Sequence, residues 1–124
     1  MFTVFKDFTF AAGHFIRGHT GGCQNLHGHN YRIRVFLNAE ELDELGMVLD
    51  FSHLKAMVQE VVGHYDHQVI NDHPPFDQLN PTAELLSQHV YREVSRRLDD
   101  PRVSVGRVEV WENDSSCASY EEAK

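Results

Sequence analysis

Three histidines in the first quarter of the chain have the spacing of a metal site. His27 and His29 are two residues apart in an alternating segment, and side chains at i and i+2 of a strand point to the same face. His14 ends an earlier alternating segment with matching parity. Three neutral imidazoles with one open position describe a catalytic Zn²⁺ site. The alternative is that these are strand-end histidines with ordinary hydrogen bonds, and the residues alone leave the two interpretations level.

Cys23 lies four residues before His27, in a glycine-rich loop. A thiol beside a divalent cation loses its proton easily, which would make Cys23 a base or a nucleophile. Without a metal nearby, it would be a small apolar loop residue. Cys117 has no metal-like neighbour in sequence, and we predict no chemical role for it.

Five further polar residues could act in a functional site, but the sequence evidence for them is weaker. Asp66 and His67 are adjacent and can form a carboxylate–imidazole pair, although such a dipeptide is common. Glu112 ends an apolar strand and could be solvated there. Thr82 and Glu84 open a predicted helix, where a glutamate interacts favourably with the helix dipole whatever the function.

Hydrophobic periodicity indicates the elements that would position these residues. The alternating apolar positions predict two strands, ending near His14 and beginning near His27. Helical spacing predicts one helix from Phe51 to Val61, with Asp50 as N-cap, and a second from Leu86 to Leu98, with Asn80 and Pro81 as cap and first-turn residues. A third strand is predicted from Val103 to Trp111 and a short fourth from Ala118 to Tyr120.

The element order ββααββ predicts an α+β fold, an antiparallel sheet with two helices on one face. The 124 residues suffice for a single domain, residues 1–124, with one core. The two open sheet edges favour assembly into an oligomer.

Composition excludes several classes of protein. The formal net charge of -8 disfavours a nucleic-acid partner. No apolar run approaches the roughly 20 residues that would span a membrane, and charge enters the first residues too early for a signal peptide. We therefore expect a cytoplasmic protein without membrane contact. The two cysteines are far apart and are predicted to be free thiols.

Ordered motifs along the whole chain resemble the 6-pyruvoyl-tetrahydropterin synthase family. The matching segments are FAAGH at 10–14, CQNLHGHNY at 23–31, GMVLDF at 46–51, DH at 66–67 with Asn71, NPTAE at 80–84, and VWE at 110–112 with ASY at 118–120. The spacing Cys-x3-His-Gly-His is most similar to the bacterial 6-carboxy-tetrahydropterin synthases.

The resemblance implies a role for each matching position. The implied zinc ligands are His14, His27 and His29, the catalytic residues are Cys23, Asp66 and His67, and the substrate-binding residues are Glu112, Thr82 and Glu84. It also implies the tunnelling fold, whose subunits form barrels as trimers or hexamers with active sites between subunits.

The implied activity is that of a zinc-dependent lyase of queuosine biosynthesis. It would convert 7,8-dihydroneopterin triphosphate to 6-carboxy-5,6,7,8-tetrahydropterin and release acetaldehyde and triphosphate. The alternatives are synthesis of 6-pyruvoyl-tetrahydropterin, aldolase-like cleavage of the side chain, or a zinc-binding module without catalysis. The last would not need Cys23, Asp66, His67 or Glu112, and structural zinc prefers four protein ligands.

Overall fold

The computed structural model describes residues 1–123 and contains one four-stranded antiparallel sheet. Its strands are β1 (Phe2–His14), β2 (His27–Ala39), β3 (Val103–Asn113) and β4 (Ser116–Tyr120), in the spatial order β1-β2-β3-β4. The chain order ββααββ and the α+β class are therefore confirmed. Both strand edges of this sheet, β1 and β4, lack a further strand within residues 1–123.

The register of the first two strands brings the predicted metal ligands together. His14 lies opposite His27 in the pairing of β1 with β2, and Ala12 lies opposite His29. The alternation that buries Phe10, Ala12 and Tyr31 continues through these histidines, so their side chains lie on the same face as the core.

Two helices cover that face, α1 (Phe51–Val62) and α2 (Ala83–Arg97). Asp50 caps α1 as predicted, because its carboxylate accepts a hydrogen bond from Ser52 N–H. The predicted N-cap of α2, Asn80, was wrong by two residues. Thr82 is the N-cap and accepts from Leu85 N–H at 3.1 Å, while the side chain of Asn80 binds elsewhere.

One core joins the inner face of the sheet to both helices. The helices contribute Leu54, Met57, Val58, Val61, Leu86, Val90 and Val94, and the strands contribute the alternating residues of β1, β2 and β3. Phe51, the first apolar residue of the spacing that predicted α1, is exposed because it lies in the first turn of the helix. Between the helices the chain forms short 3-10 turns at Gly63–Tyr65 and Ile70–Asp72.

The opposite face of the sheet carries no helix within the described chain. Arg34 forms a two-point ion pair with Asp7 there, with nitrogen–oxygen distances of 2.7 and 3.0 Å. The guanidinium of Arg32 lies 4.7 Å from the centre of the Trp111 ring. These arginines thus face away from the histidines, as their parity predicts.

None of the helices between residues 1 and 123 combines the length and the apolar character that crossing a membrane requires.

Candidate active site

His14, His27 and His29 form one cluster at the end of the β1–β2 pair. Their metal-binding nitrogens all lie within 4.8 Å of one another. The Nε2 atom of His14 is 3.1 Å from Nε2 of His27 and 3.1 Å from Nε2 of His29. Three nitrogens bound to one zinc at its usual bond length would lie about 3.3 Å apart. The cluster therefore has nearly the dimensions of a three-histidine zinc site.

Hydrogen bonds to backbone carbonyls fix the tautomers of two of these rings. Nδ1–H of His14 donates to the carbonyl of Pro81 at 2.8 Å, and Nδ1–H of His27 donates to the carbonyl of Asn25 at 2.7 Å. A carbonyl only accepts, so the Nε2 lone pairs of the neutral rings face the centre of the cluster. Burial lowers the pKa of His14, which keeps that ring neutral. Lone pairs converging at such short distances repel one another unless a cation lies between them, so the donor set fits a metal ion.

Cys23 is held beside the cluster by the loop that joins β1 to β2. Its carbonyl accepts a hydrogen bond from Ile16 N–H at 2.7 Å, which closes the loop just beyond His14. The residue lies in a short 3-10 turn, Gly22–Gln24, and its thiol is exposed and free. The loop therefore presents a free, exposed thiol near the end of β1.

A cavity of about 360 Å³ unites most of the predicted site. Its walls include all three histidines together with Cys23, Thr82, Glu84 and Glu112. The carboxylate oxygen Oε2 of Glu112 lies 3.4 Å from Nε2 of His14 and 3.3 Å from Nε2 of His29. Thr82, the N-cap of α2, and Glu84, in its first turn, also line the cavity. One concave site thus offers three histidines that could hold a metal ion, a thiol and two carboxylates.

Asp66 and His67 lie outside this cavity in the single chain. Oδ1 of Asp66 is 3.1 Å from Nδ1 of His67, so the predicted carboxylate–imidazole pair is present. Oδ1 also accepts a hydrogen bond from Ala11 N–H, and this bond lowers the pKa of Asp66. The side chain of His67 is 81% exposed, and its φ of 60° is in the left-handed region. The pair thus projects outward from the edge of β1.

Sequence reasoning missed two asparagines that hold the loop at the end of β1. Asn71 accepts from Phe15 N–H at 3.0 Å and donates to the Phe15 carbonyl at 2.9 Å. Asn80 does the same with Arg17, at 2.9 and 3.0 Å. Both lie in matching motifs, but their partners are 56 and 63 residues away. Only the folded chain reveals that they position the segment leading to Cys23.

Replacing Asn71 with alanine should lower the free energy of unfolding by about 1–3 kcal/mol, because Asn71 is buried and the Phe15 groups would lose both partners. Urea unfolding of the two proteins measures the difference. The matched control is Asn113→Ala, which removes a contact in the exposed β3–β4 turn and should cost less. Equal losses in the two variants would contradict the role assigned to Asn71.

Comparison with known proteins identifies relatives over the whole chain. The sequence model of the family described as 6-pyruvoyl tetrahydropterin synthase matches residues 3–123. The chain is 38% identical over 103 residues to the 6-carboxy-5,6,7,8-tetrahydropterin synthase of Bacillus subtilis, covering 79% of this chain and 68% of that protein. It is 36% identical over 126 residues to the synthase of the same name from Synechocystis, covering 97% and 93%.

Solved structures share the fold. The 6-pyruvoyl tetrahydropterin synthase of Caenorhabditis elegans superposes with a TM-score of 0.86 at 24% identity, over 98% of this chain and 96% of that one. The synthase of Plasmodium vivax gives a TM-score of 0.73 at 23% identity, over 98% and 99%. The predicted tunnelling fold of the subunit is thereby confirmed.

Proposed function

Because this chain belongs to the 6-pyruvoyl tetrahydropterin synthase family, we propose that it converts 7,8-dihydroneopterin triphosphate to 6-carboxy-5,6,7,8-tetrahydropterin. The reaction is a zinc-dependent lyase reaction that releases acetaldehyde and triphosphate, as in queuosine biosynthesis. Curated relatives at 36–38% identity carry the name of this synthase. The proposal places the enzyme in the cytoplasm, where its small-molecule substrate would be found.

The observation that carries the proposal is the composition of the 360 Å³ cavity. A structural zinc site would need ligands alone, whereas this cavity adds a free thiol and the carboxylates of Glu84 and Glu112 to the three histidines. Such a combination of a metal site, an acid–base group and substrate-binding groups supports catalysis on a small polar ligand.

Zinc held by His14, His27 and His29 would supply a Lewis acid that polarises the side-chain oxygens of the pterin. Cys23 would be the base that removes a proton from that side chain and returns it later in the reaction. The loop bond between Ile16 N–H and the Cys23 carbonyl keeps the sulfur at the cavity while this happens. The fully buried Tyr31 ring packs edge-on against His14 and His29, with ring centres 5.8 and 5.4 Å apart, and covers the inner side of these two imidazoles.

Glu112 would bind the pterin ring, because its carboxylate can accept hydrogen bonds from the amino-pyrimidine edge. It is 27% exposed and lies on the cavity wall, so a ligand can reach it. Thr82 caps α2 through its oxygen lone pair, which leaves its hydroxyl proton free to donate to substrate. Glu84, in the first turn of α2, would be the second acceptor on this wall.

Asp66 and His67 would complete the active site of a neighbouring subunit. The imidazole of His67 is 81% exposed at the edge of β1, where a neighbouring chain can reach it, while the backbone N–H of His67 donates to the Ala11 carbonyl of its own chain. A trimer or hexamer with sites between subunits brings His67 of one chain to the Cys23 cavity of the next. In this arrangement the thiol and the imidazole act as base and acid on opposite sides of the substrate side chain.

Mixed oligomers test the shared site. Cys23→Ala and His67→Ala chains, each inactive alone, should recover activity when they are co-expressed, because one kind of site then has both groups intact. Random mixing would restore about a quarter of the sites. The matched control combines Cys23→Ala with His27→Ala, which damages the same cavity in both chains and should restore nothing. Equal recovery in the two mixtures, or none in either, would contradict a shared site.

Product analysis tests the reaction. The zinc-loaded protein is incubated with 7,8-dihydroneopterin triphosphate, and the pterin products are identified by mass. We expect 6-carboxy-5,6,7,8-tetrahydropterin with equal amounts of acetaldehyde and triphosphate. A 6-pyruvoyl product without acetaldehyde, or a hydroxymethyl pterin from aldolase-like cleavage, would replace the proposed activity with another one. No turnover at all would favour the zinc-binding module.

A further inference from the structure

The cavity poses an electrostatic problem for a phosphate-bearing substrate. Apart from the histidines, the charged groups that line the cavity within residues 1–123 are the carboxylates of Glu84 and Glu112. No lysine or arginine lines it within residues 1–123. If the phosphates of the substrate bind in this cavity, another hydrogen-bond donor must offset the negative charge of its walls.

Among residues 1–123, His19 is the one histidine that lines this cavity outside the cluster of His14, His27 and His29. Its Nδ1 accepts a hydrogen bond from Gly21 N–H at 2.9 Å. A nitrogen that accepts from an N–H carries a lone pair, so the proton of the neutral ring is on Nε2. The loop thus fixes His19 as an Nε2–H donor.

The absence of a side chain at Gly21 leaves room for the His19 ring in this position. A Cβ atom at position 21 would lie 2.8 Å from Cε1 of His19 and 3.2 Å from its Nδ1. Real Cβ atoms are essentially never that close to another atom, so only glycine allows the ring to pack on the backbone and accept its hydrogen bond. The side chain is exposed towards solvent, yet its orientation is set by two features of the loop.

Arg17, the other basic side chain of this loop, already donates hydrogen bonds to the backbone. The two terminal nitrogens of Arg17 donate to the carbonyls of Leu79 and Phe76, each at 3.1 Å. Arg17 thus fastens the loop to the segment before α2, and its guanidinium also lies 5.2 Å from the centre of the Phe15 ring. Of the two basic side chains in this loop, His19 is the one whose ring N–H has no hydrogen-bond partner among residues 1–123.

We propose that His19 forms an anion subsite of the cavity and donates from Nε2 to a phosphate oxygen of the substrate. The inference rests on the proposed function, because it assigns the phosphate-bearing end of that substrate to the loop end of the cavity. The pterin ring then occupies the wall near Glu112, and the histidine cluster lies between the two ends. His19 is a substrate-binding residue in this account, and metal binding does not require it.

Two ligands that differ only in their phosphates isolate this subsite. Calorimetry on zinc-loaded Cys23→Ala protein, in which turnover is lowered by about 10²–10⁴, gives Kd for 7,8-dihydroneopterin triphosphate and for phosphate-free 7,8-dihydroneopterin. Adding His19→Asn should weaken the first ligand about tenfold or more, since a hydrogen bond to a charged oxygen is lost. The second ligand should change by less than about twofold. The asparagine can still accept from Gly21 N–H, so the loop keeps its bond.

Two further variants separate binding from loop structure. His19→Gln places an amide N–H near the position of Nε2 and should recover part of the affinity for the triphosphate. His53→Asn, at an exposed histidine on α1, should change neither Kd. Equal weakening of both ligands by His19→Asn, or no weakening of either, would overturn the subsite.

Failure of the proposed function would be visible separately. If the wild-type protein gave no carboxy-pterin while the phosphate-specific loss at His19 persisted, the subsite would stand and the reaction would be wrong. If the carboxy-pterin formed and His19→Asn left the triphosphate Kd unchanged, the reaction would stand and the subsite would be wrong.

Discussion

Replacing Cys23 with alanine should lower kcat by a factor of about 10²–10⁴, the range that general acid–base groups contribute, while pterin binding stays close to that of the wild type. The thiol lies at the cavity and is free, whereas Glu112 and the histidine cluster remain in place in the variant. Steady-state kinetics and a binding measurement separate the two effects. The complementary variant, Glu112→Ala, should weaken pterin binding instead.

The second cysteine supplies the matched control. Cys117 lies on β4 opposite Trp111, away from the cavity, and Cys117→Ala should keep full turnover. Burial raises the pKa of the Cys117 thiol, so iodoacetamide at neutral pH should modify Cys23 first and inactivate the enzyme. Substrate should protect Cys23. Near-native turnover in Cys23→Ala would show that the acid–base scheme is wrong.

Replacing His27 or His29 with alanine should reduce the zinc content from about one per chain to nearly none, with turnover lost in parallel. These two rings are partly exposed, so truncation leaves the core intact, whereas His14 is 2% exposed and its removal would open a buried cavity. Metal analysis of the purified variants gives the stoichiometry, and circular dichroism shows whether the fold persists.

The control for metal binding is His53→Ala, since His53 is exposed on α1 and lies outside the cluster. It should retain the full zinc content. If His27→Ala or His29→Ala also retained full zinc, the three-histidine site would be wrong, whatever the activity of the variant. Zinc lost with unchanged turnover would separate the metal from the reaction.

Strand periodicity made the histidine cluster predictable. His27 and His29 have the same parity as the buried Tyr31, and His14 has the same parity as Phe10. Once both segments formed strands, all three histidines therefore lay on the core face of the sheet. The pairing of His14 with His27 needs the register, which the loop and the core set together. Alternation predicts which face of the sheet a residue lies on, but it does not predict which residue lies opposite it on the neighbouring strand.

Other parts of the site depend on contacts that sequence patterns do not encode. Asn80 has a residue type that often caps helices, yet its side-chain amide binds the backbone of Arg17. The N-cap of α2 is Thr82 instead. The bond that places Cys23 joins two backbone groups of a loop, where side-chain patterns carry no signal. In the proposed oligomer His67 would reach the cavity of a second subunit, and the sequence of one chain does not encode how two subunits meet.

The most direct test of the account is a zinc titration of the metal-free wild-type protein with 7,8-dihydroneopterin triphosphate as substrate. Chelation removes the metal, and formation of 6-carboxy-5,6,7,8-tetrahydropterin is followed as zinc is added back. We expect no product without metal and a linear rise that stops at about one zinc per chain, because one cluster of three imidazoles serves each cavity. Full turnover by the metal-free protein, or a rise that does not saturate at one equivalent, would contradict the claim that this cavity is a zinc-dependent active site.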